Sequence, residues 1–248
     1  MIRLFITDLD GCVTDPFETP DWEAYSELRR LNLKSIEDHD IPPLTICTGR
    51  PMPYAEAQAL MLRITVPFIF ESGGGMYDVK KNELIWSPSF NKDAERHVNE
   101  IKAWSHEQIL PNFEGVIPEF AKHTDIGFIH KDSSVIDKIY KQATDLITSN
   151  YESFEVHKTD VSVNIIQSGA NKGKGIAMLC DYLGIELDEV AYIGDSSGDI
   201  PGLKIVGMPF SPANAIQATK NVSEVMKGQS TKAVVEAYQT IIERNKKR

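Results

Sequence analysis

Cysteine is scarce in this chain. Cys12, Cys47 and Cys180 are the three present in 248 residues, far apart and each in or beside an apolar run. An odd number at that spacing offers neither a disulfide framework nor a zinc site, so a reducing, cytoplasmic compartment is expected. Long apolar runs are missing too. None approaches the ~20 residues of a membrane span, and the first residues lack the basic-then-apolar pattern of a secretory leader. Positive charge is in deficit, with 26 Lys and Arg against 36 Asp and Glu and a formal net charge of −10. Nucleic acid is therefore not an expected partner, since its binders show a basic face. The six histidines are scattered without metal-ligand spacing. The stretch Ser168 to Gly175 has the glycines and lysine of a phosphate loop but not its Gly-Lys-Ser/Thr ending.

What remains is an ordinary globular composition, 42% hydrophobic and 25% charged, in a length that suits one large domain or two modest ones. The opening stretch MIRLFITDLDGCVTD organises the rest. Arg3 to Thr7 reads as a short buried strand, and it ends at Asp8, with Asp10 two positions on and Gly11 free to turn. A helix is expected from about Asp21 to Asp38, a strand over Leu44–Cys47 and a helix from Pro51. A third strand is expected over Val66–Phe70, then Glu71-Ser72-Gly73 and a hairpin of 76–78 with 83–86. Strand and helix alternate as in a doubly wound parallel sheet.

The pattern then changes to helix, two strands, helix, two strands: about 93–106, 116–120, 126–130, 134–149, 154–157 and 161–166. Without βαβ alternation this is expected to be a separate antiparallel sheet with helices on one face. The expected division is an α/β core of residues 1–82 and 169–248 around an inserted α+β domain of 83–168. The α/β pattern returns with a helix over Lys172–Leu183 stopped by Gly184, a strand over Val190–Gly194 and a last strand over Ile205–Met208. A helix is expected to begin near Ser211, and a closing one over 230–246 ends in the basic run RNKKR, read as a solvated helix end.

Four short elements fall at strand ends or a helix start of the α/β half. They are Asp8-x-Asp10, Thr48-Gly49-Arg50, Lys172-Gly173 and the run Gly194-Asp195 to Gly198-Asp199. In open α/β sheets ligands sit beyond the carboxyl ends of the strands, so these groups converge on one crevice. Singly, Thr48 reads as a strand-end threonine, Lys172 as a first-turn lysine, and Asp195 and Asp199 as helix-capping acids. Jointly they supply a nucleophile, an acid/base, phosphate donors and an acidic metal site, the parts phosphoryl transfer needs. Asp8 is then the nucleophile and Asp10 the acid/base. Thr48, Gly49 and Lys172 would bind the phosphoryl oxygens. Asp8, Asp195 and the Asp10 backbone carbonyl would hold Mg2+, with Asp199 in or just outside the coordination shell. Arg50 either contacts substrate or braces its loop, and Asn164 faces either substrate or solvent.

The set DLDGCVTD, TGR, NKGKG and GDSSGDI resembles the haloacid dehalogenase superfamily of aspartate-nucleophile phosphatases. The inserted segment resembles that superfamily's type II cap, as in the Cof-like and sucrose-phosphatase-like branch. The resemblance implies magnesium-dependent hydrolysis of a small phosphomonoester, a sugar phosphate or related phosphorylated metabolite, through an aspartyl phosphate. It gives the same roles to Asp8, Asp10, Thr48, Lys172 and Asp195. Two positions depart from that branch: Gly198-Asp199 replaces Asn-Asp, and Glu71-Ser72-Gly73 replaces Glu-Asn-Gly. A phosphosugar mutase on the same fold is the alternative. A receiver-like signalling domain is disfavoured by Asp10 and the insertion, and a non-catalytic sugar-phosphate binder by the full catalytic set. A monomer or small homo-oligomer is expected.

Overall fold

The computed structural model describes residues 1–247; Arg248, the last of the basic run, lies outside them. In chain order the elements are β1 (Leu4–Thr7), α1 (Trp22–Lys34), β2 (Leu44–Ile46), α2 (Met52–Met61), β3 (Phe68–Phe70), β4 (Gly75–Asp78) and β5 (Glu83–Trp86). Next come α3 (Lys92–Trp104), β6 (Ile117–Pro118), β7 (Ile126–Ile129), α4 (Ser133–Asn150), β8 (Phe154–Lys158) and β9 (Ser162–Gln167). The chain closes with α5 (Lys172–Leu183), β10 (Val190–Ile193), α6 (Ile200–Leu203), β11 (Met208–Ser211), α7 (Gln217–Lys220), β12 (Glu224–Val225) and α8 (Ser230–Lys246).

The central sheet is parallel throughout, in the order β12-β11-β10-β1-β2. All four residues of β1 are buried, as expected for an inner strand covered on both faces. On one face Phe5, Leu44 and Ile46 pack with Tyr25 and Leu28 of α1 and Val234, Tyr238 and Ile241 of α8. On the other, Leu4, Ile6, Val190 and Tyr192 pack with Ile176 and Leu179 of α5. Helix starts are capped from the sequence: Asp21 accepts from Glu23 N and Ala24 N, and Asn171 accepts from Lys174 N. Gly184 ends α5 at φ 64°, in the left-handed region.

A second, antiparallel sheet of order β6-β7-β9-β8 carries α3 and α4 on one face. Phe128, Val163 and Ile165 point into that packed layer, with Val98, Ile101, Ile139 and Ala143 from the helices. Between the two sheets the chain crosses twice, at Ser87–Ser89 and at Gln167–Gly169. Gln167 Nε2 donates to Ser89 O at 2.6 Å, so the crossings run side by side.

Several expected elements shift. Strand β5 pairs with β4 along its whole length, in the small β3-β4-β5 sheet that continues from the core through a Cys47–Ile69 bridge. A break at 82/83 would fall inside that hairpin. The last long sheet strand is Met208–Ser211 rather than Ile205–Met208. It takes in Pro209, which lacks an N–H, because β12 begins to pair only at Phe210 and no partner on that side asks for the missing donor. The helix expected near Ser211 is a turn, its Ala213 N held by Gly228 O. Strand β6 shrinks to two residues.

Candidate active site

The crevice lies beyond the carboxyl ends of β1, β2 and β10. Asp8 follows β1 and is buried, its N–H donating to Ile193 O at 3.0 Å. Its Oδ1 accepts from Leu9 N at 2.8 Å, and its Oδ2 lies 2.7 Å from Lys172 Nζ. Burial pushes the Asp8 carboxyl well above the usual carboxylate range, and the Lys172 ammonium works against that. Lys172 enters from the first turn of α5, also buried, and reaches Asp199 Oδ1 at 2.6 Å as well. Burial favours loss of its proton, but Asp199 and Asp8 outweigh that, and the amine stays firmly protonated.

Asp199 closes the polar floor. Its Oδ1 accepts from Lys172 and the Tyr192 hydroxyl, and its Oδ2 from Asp195 N, Ser196 N and Ser196 Oγ. Burial works against its ionisation, yet the Lys172 ammonium and these donors hold its carboxyl below the usual range. With every lone-pair direction engaged, Asp199 shapes the Asp195 loop. Asp195 differs: no other described side chain donates to its carboxylate, and burial, then the Asp199 charge, pushes it up to about 7. One oxygen from each of Asp8, Asp195 and Asp199 can be found within 4.8 Å of the others. Gly11 turns beside them at φ 74°, and a Cβ built there would fall 2.2 Å from Asp195 Oδ2. Only glycine suits that position.

Thr48 is buried at the end of β2, and its Oγ1 accepts from Arg50 N at 3.1 Å. The Thr48 carbonyl accepts from Ser72 N, which ties the Thr48–Gly49 loop to the loop after β3. Arg50 grips Asp10 with both arms of a fork, Nε to Oδ2 at 2.7 Å and Nη2 to Oδ1 at 2.8 Å. Asn164 stands elsewhere, on β9 of the second sheet, where its Oδ1 accepts from Lys122 Nζ at 2.9 Å. It reaches the crevice only through neighbours.

Four residues that the sequence reading left without a role join the two halves or hold the site. Glu71 accepts from His123 N, Thr124 N and Thr124 Oγ1 of the turn before β7. Glu119 lies 3.7 Å from Arg50 Nη1 and 2.8 Å from Lys122 Nζ, and Lys122 lies 3.0 Å from Asp125 Oδ1. Asn214 Nδ2 donates to Gly11 O at 2.9 Å, steadying the loop between the first two acids. Glu71 had a sequence signal, its place in the strand-end Glu-Ser-Gly. Glu119, Lys122 and Asn214 had none, because Arg50, Asn164 and Gly11, which they contact, lie far away in sequence.

The profile of the haloacid dehalogenase-like hydrolases matches residues 104–237, more than half of the chain. The chain belongs to the haloacid dehalogenase-like hydrolases. A phosphoglycolate phosphatase of Methanopyrus kandleri is 28% identical over 226 residues, covering 91% of this chain and 90% of that protein. One of Thermoplasma acidophilum is 26% identical over 231 residues, 93% of each. Among solved structures, a Thermoplasma acidophilum protein superposes with a TM-score of 0.73 at 23% identity, covering 97% of this chain and 98% of that one. The Synechocystis sucrose-phosphatase, solved with sucrose and phosphate, superposes at 0.69 with 17% identity, over 97% and 98% of the two chains. These likenesses establish the haloacid dehalogenase fold with its cap, and the family makes this chain a hydrolase. No helix among the described residues is long and apolar enough to cross a membrane.

Proposed function

We propose that this hydrolase removes phosphate from a small phosphomonoester through an aspartyl phosphate on Asp8, with Mg2+ as cofactor. The observation that carries the reading is the contact of buried Asp8 with Lys172 beside an acid, Asp195, that no other described side chain engages. Phosphoglycolate is the first substrate to try, since the named relatives above carry that activity in their names.

The donor set fits magnesium, a hard cation that takes oxygen ligands. Asp8, Asp195 and the Asp10 carbonyl would hold it, and Asp199, saturated by five donors, supports Asp195 from behind. When bound, the cation would neutralise charge on the phosphoryl group. The remaining steps belong to the chain. Asp8 attacks phosphorus, the ester P–O bond breaks, and the departing oxygen takes the proton of Asp10. Water then attacks the phosphorus of the aspartyl phosphate. Asp10 takes its proton back, and Asp8 is regenerated as phosphate leaves. The Lys172 ammonium, the Thr48 hydroxyl and the Gly49 amide receive the phosphoryl oxygens.

The domains in this reading are a core of 1–86 and 169–248 and a cap of 87–168, the boundary moved to keep the β4-β5 hairpin whole. Closure of the cap excludes water from the reacting centre. The test is phosphate release from phosphoglycolate, a panel of sugar phosphates and an aryl phosphate, with and without Mg2+, alongside Asp8→Asn. Magnesium-dependent release that vanishes in the variant is expected. Metal-independent release, or full activity in Asp8→Asn, rejects the mechanism.

A further inference from the structure

The turn after β3 is built against the preferences of its own residues. Glu71 and Ser72 both hold left-handed backbone, at φ 47° and 55°, a conformation that non-glycine residues rarely adopt. Contacts on three sides keep it there. Glu71 N donates to Arg50 O at 3.1 Å and Ser72 N to Thr48 O at 2.9 Å, so the turn takes both carbonyls that flank Gly49. Gly73 backs onto the start of α5, where a Cβ would fall 2.5 Å from Asn171 O, one residue before Lys172. Gly74 lies under the hydroxyl of Thr124, whose backbone N–H also donates to the Glu71 carboxylate. Backbone strain held in place like this collects where chemistry needs a fixed group.

One polar group of this turn has no partner. Ser72 is half-buried and bonds through its backbone N–H, but its hydroxyl makes no hydrogen bond with the described residues. Gly49 shows where that hydroxyl stands. A Cβ built on Gly49 would meet Ser72 Oγ at 3.2 Å and, chain neighbours aside, no other group within 4 Å. Ser72 Oγ therefore lies on the open side of the Thr48–Gly49 loop, beside the hydroxyl and amide that receive phosphoryl oxygens in the reading above. No protein acceptor claims its proton, which is free to turn toward an anion. Glycine would take the same backbone without strain, so the shape of the turn does not by itself ask for serine.

We infer that Ser72 is a further phosphate-contacting residue, its hydroxyl donating to an oxygen of the transferring phosphoryl group beside Thr48 and Gly49. The assignment rests on the phosphatase reading above and adds to it a donor from a third loop. The bonds of the turn to Thr48 O and Arg50 O, and its packing on Asn171, keep this donor in register with Thr48 and Lys172. Because the contact is to the phosphoryl group, it serves every ester alike, whatever alcohol departs.

The experiment compares wild type, Ser72→Ala and Ser72→Gly with Mg2+ present, with folding checked by circular dichroism. Alanine keeps the strained backbone and removes the hydroxyl, whereas glycine removes both. Each variant is expected to lose at least about tenfold in kcat/KM, the scale of one hydrogen bond to a charged group. The factor should be the same on phosphoglycolate, a sugar phosphate and an aryl phosphate. Calorimetric titration with inorganic phosphate should show weaker binding in both variants. A serine that only shapes the turn would leave Ser72→Ala near wild type. Wild-type kcat/KM in Ser72→Ala, or a loss that depends on the ester, overturns the assignment and leaves the phosphatase reading standing. If wild type releases phosphate from none of the esters, that reading falls and the titration decides. Weaker phosphate binding in both variants then keeps the contact; unchanged affinity, or no phosphate binding by wild type, removes it.

Discussion

Glu71→Ala tests whether the core grips the cap through a single carboxylate. Glu71 is 1% exposed and accepts from His123 N, Thr124 N and Thr124 Oγ1, at 2.9, 2.6 and 2.7 Å. Bonds to a charged acceptor contribute about 1.5–3 kcal/mol each, so the closed arrangement loses on the order of 4–9 kcal/mol in the variant. The two amides recover water once the turn swings out, so much of that loss appears as opening rather than unfolding. Glu71 sits at φ 47°, and alanine there carries the same backbone strain, so the comparison isolates the carboxylate. Hydrogen exchange at the His123 and Thr124 amides is the assay. Exchange is expected to quicken at least about a hundredfold, equivalent to roughly 2.7 kcal/mol of opening free energy. Glu71→Gln, which keeps one acceptor oxygen, should fall between. Wild-type exchange at both amides in a folded Glu71→Ala protein would refute the clasp.

Gly11→Ala puts a Cβ where Asp195 Oδ2 now lies and adds the left-handed strain of φ 74°, about 1–2 kcal/mol. Magnesium-dependent phosphate release should fall more than a hundredfold, while Tm drops only by about 2–8 °C, as strain of that size implies for a chain this long. Wild-type turnover would mean that Asp195 need not stay where it is. Asp125→Asn reports through pH. Burial pushes the Asp125 carboxyl up to about 7, against the pull of Lys122, and neither oxygen receives a well-aligned hydrogen bond. The native state then binds a proton that the unfolded chain has already lost between about pH 4 and 7. Wild-type stability should therefore fall as pH rises through that window, by up to about 1.4 kcal/mol per unit. Melting curves from pH 5 to 8 should diverge, with the variant gaining relative to wild type at the alkaline end; parallel curves would discount Asp125.

The strand-end acids were legible because each follows an apolar run whose length fixes where it stops. Asp8, Thr48 and Asp195 needed no knowledge of tertiary contacts, and the two helix caps at Asp21 and Asn171 bind amides within three residues of themselves. What escaped the sequence depends on distant partners. Met208–Ser211 is a strand because β10 and β12 take it up, despite Pro209. The turn after Ser211 holds through Asn214, which spans Gly11 and Ser230. Glu119 and Lys122 gain meaning only when β6 and β7 bring them over Arg50, more than sixty residues away in sequence. Arg50 itself showed both sides of this: its place beside the site was evident, and its fork onto Asp10 was not.

The paired crossings at Ser89 and Gln167 have a modular consequence. Their bond, and a Gly169 whose added Cβ would lie 2.9 Å from Ser89 Cβ, bring the entrance and exit of the inserted segment through one narrow doorway. The acids proposed to perform the chemistry follow β1 and β10, outside the inserted segment, and meet it through the clasp at Glu71 and the Arg50–Glu119 contact. A different recognition module spliced between Ser89 and Gly169 would inherit the hydrolytic centre intact and bring its own choice of leaving group. The fold thereby separates what is done from what it is done to, and the junction where the two can be exchanged is only a few residues wide.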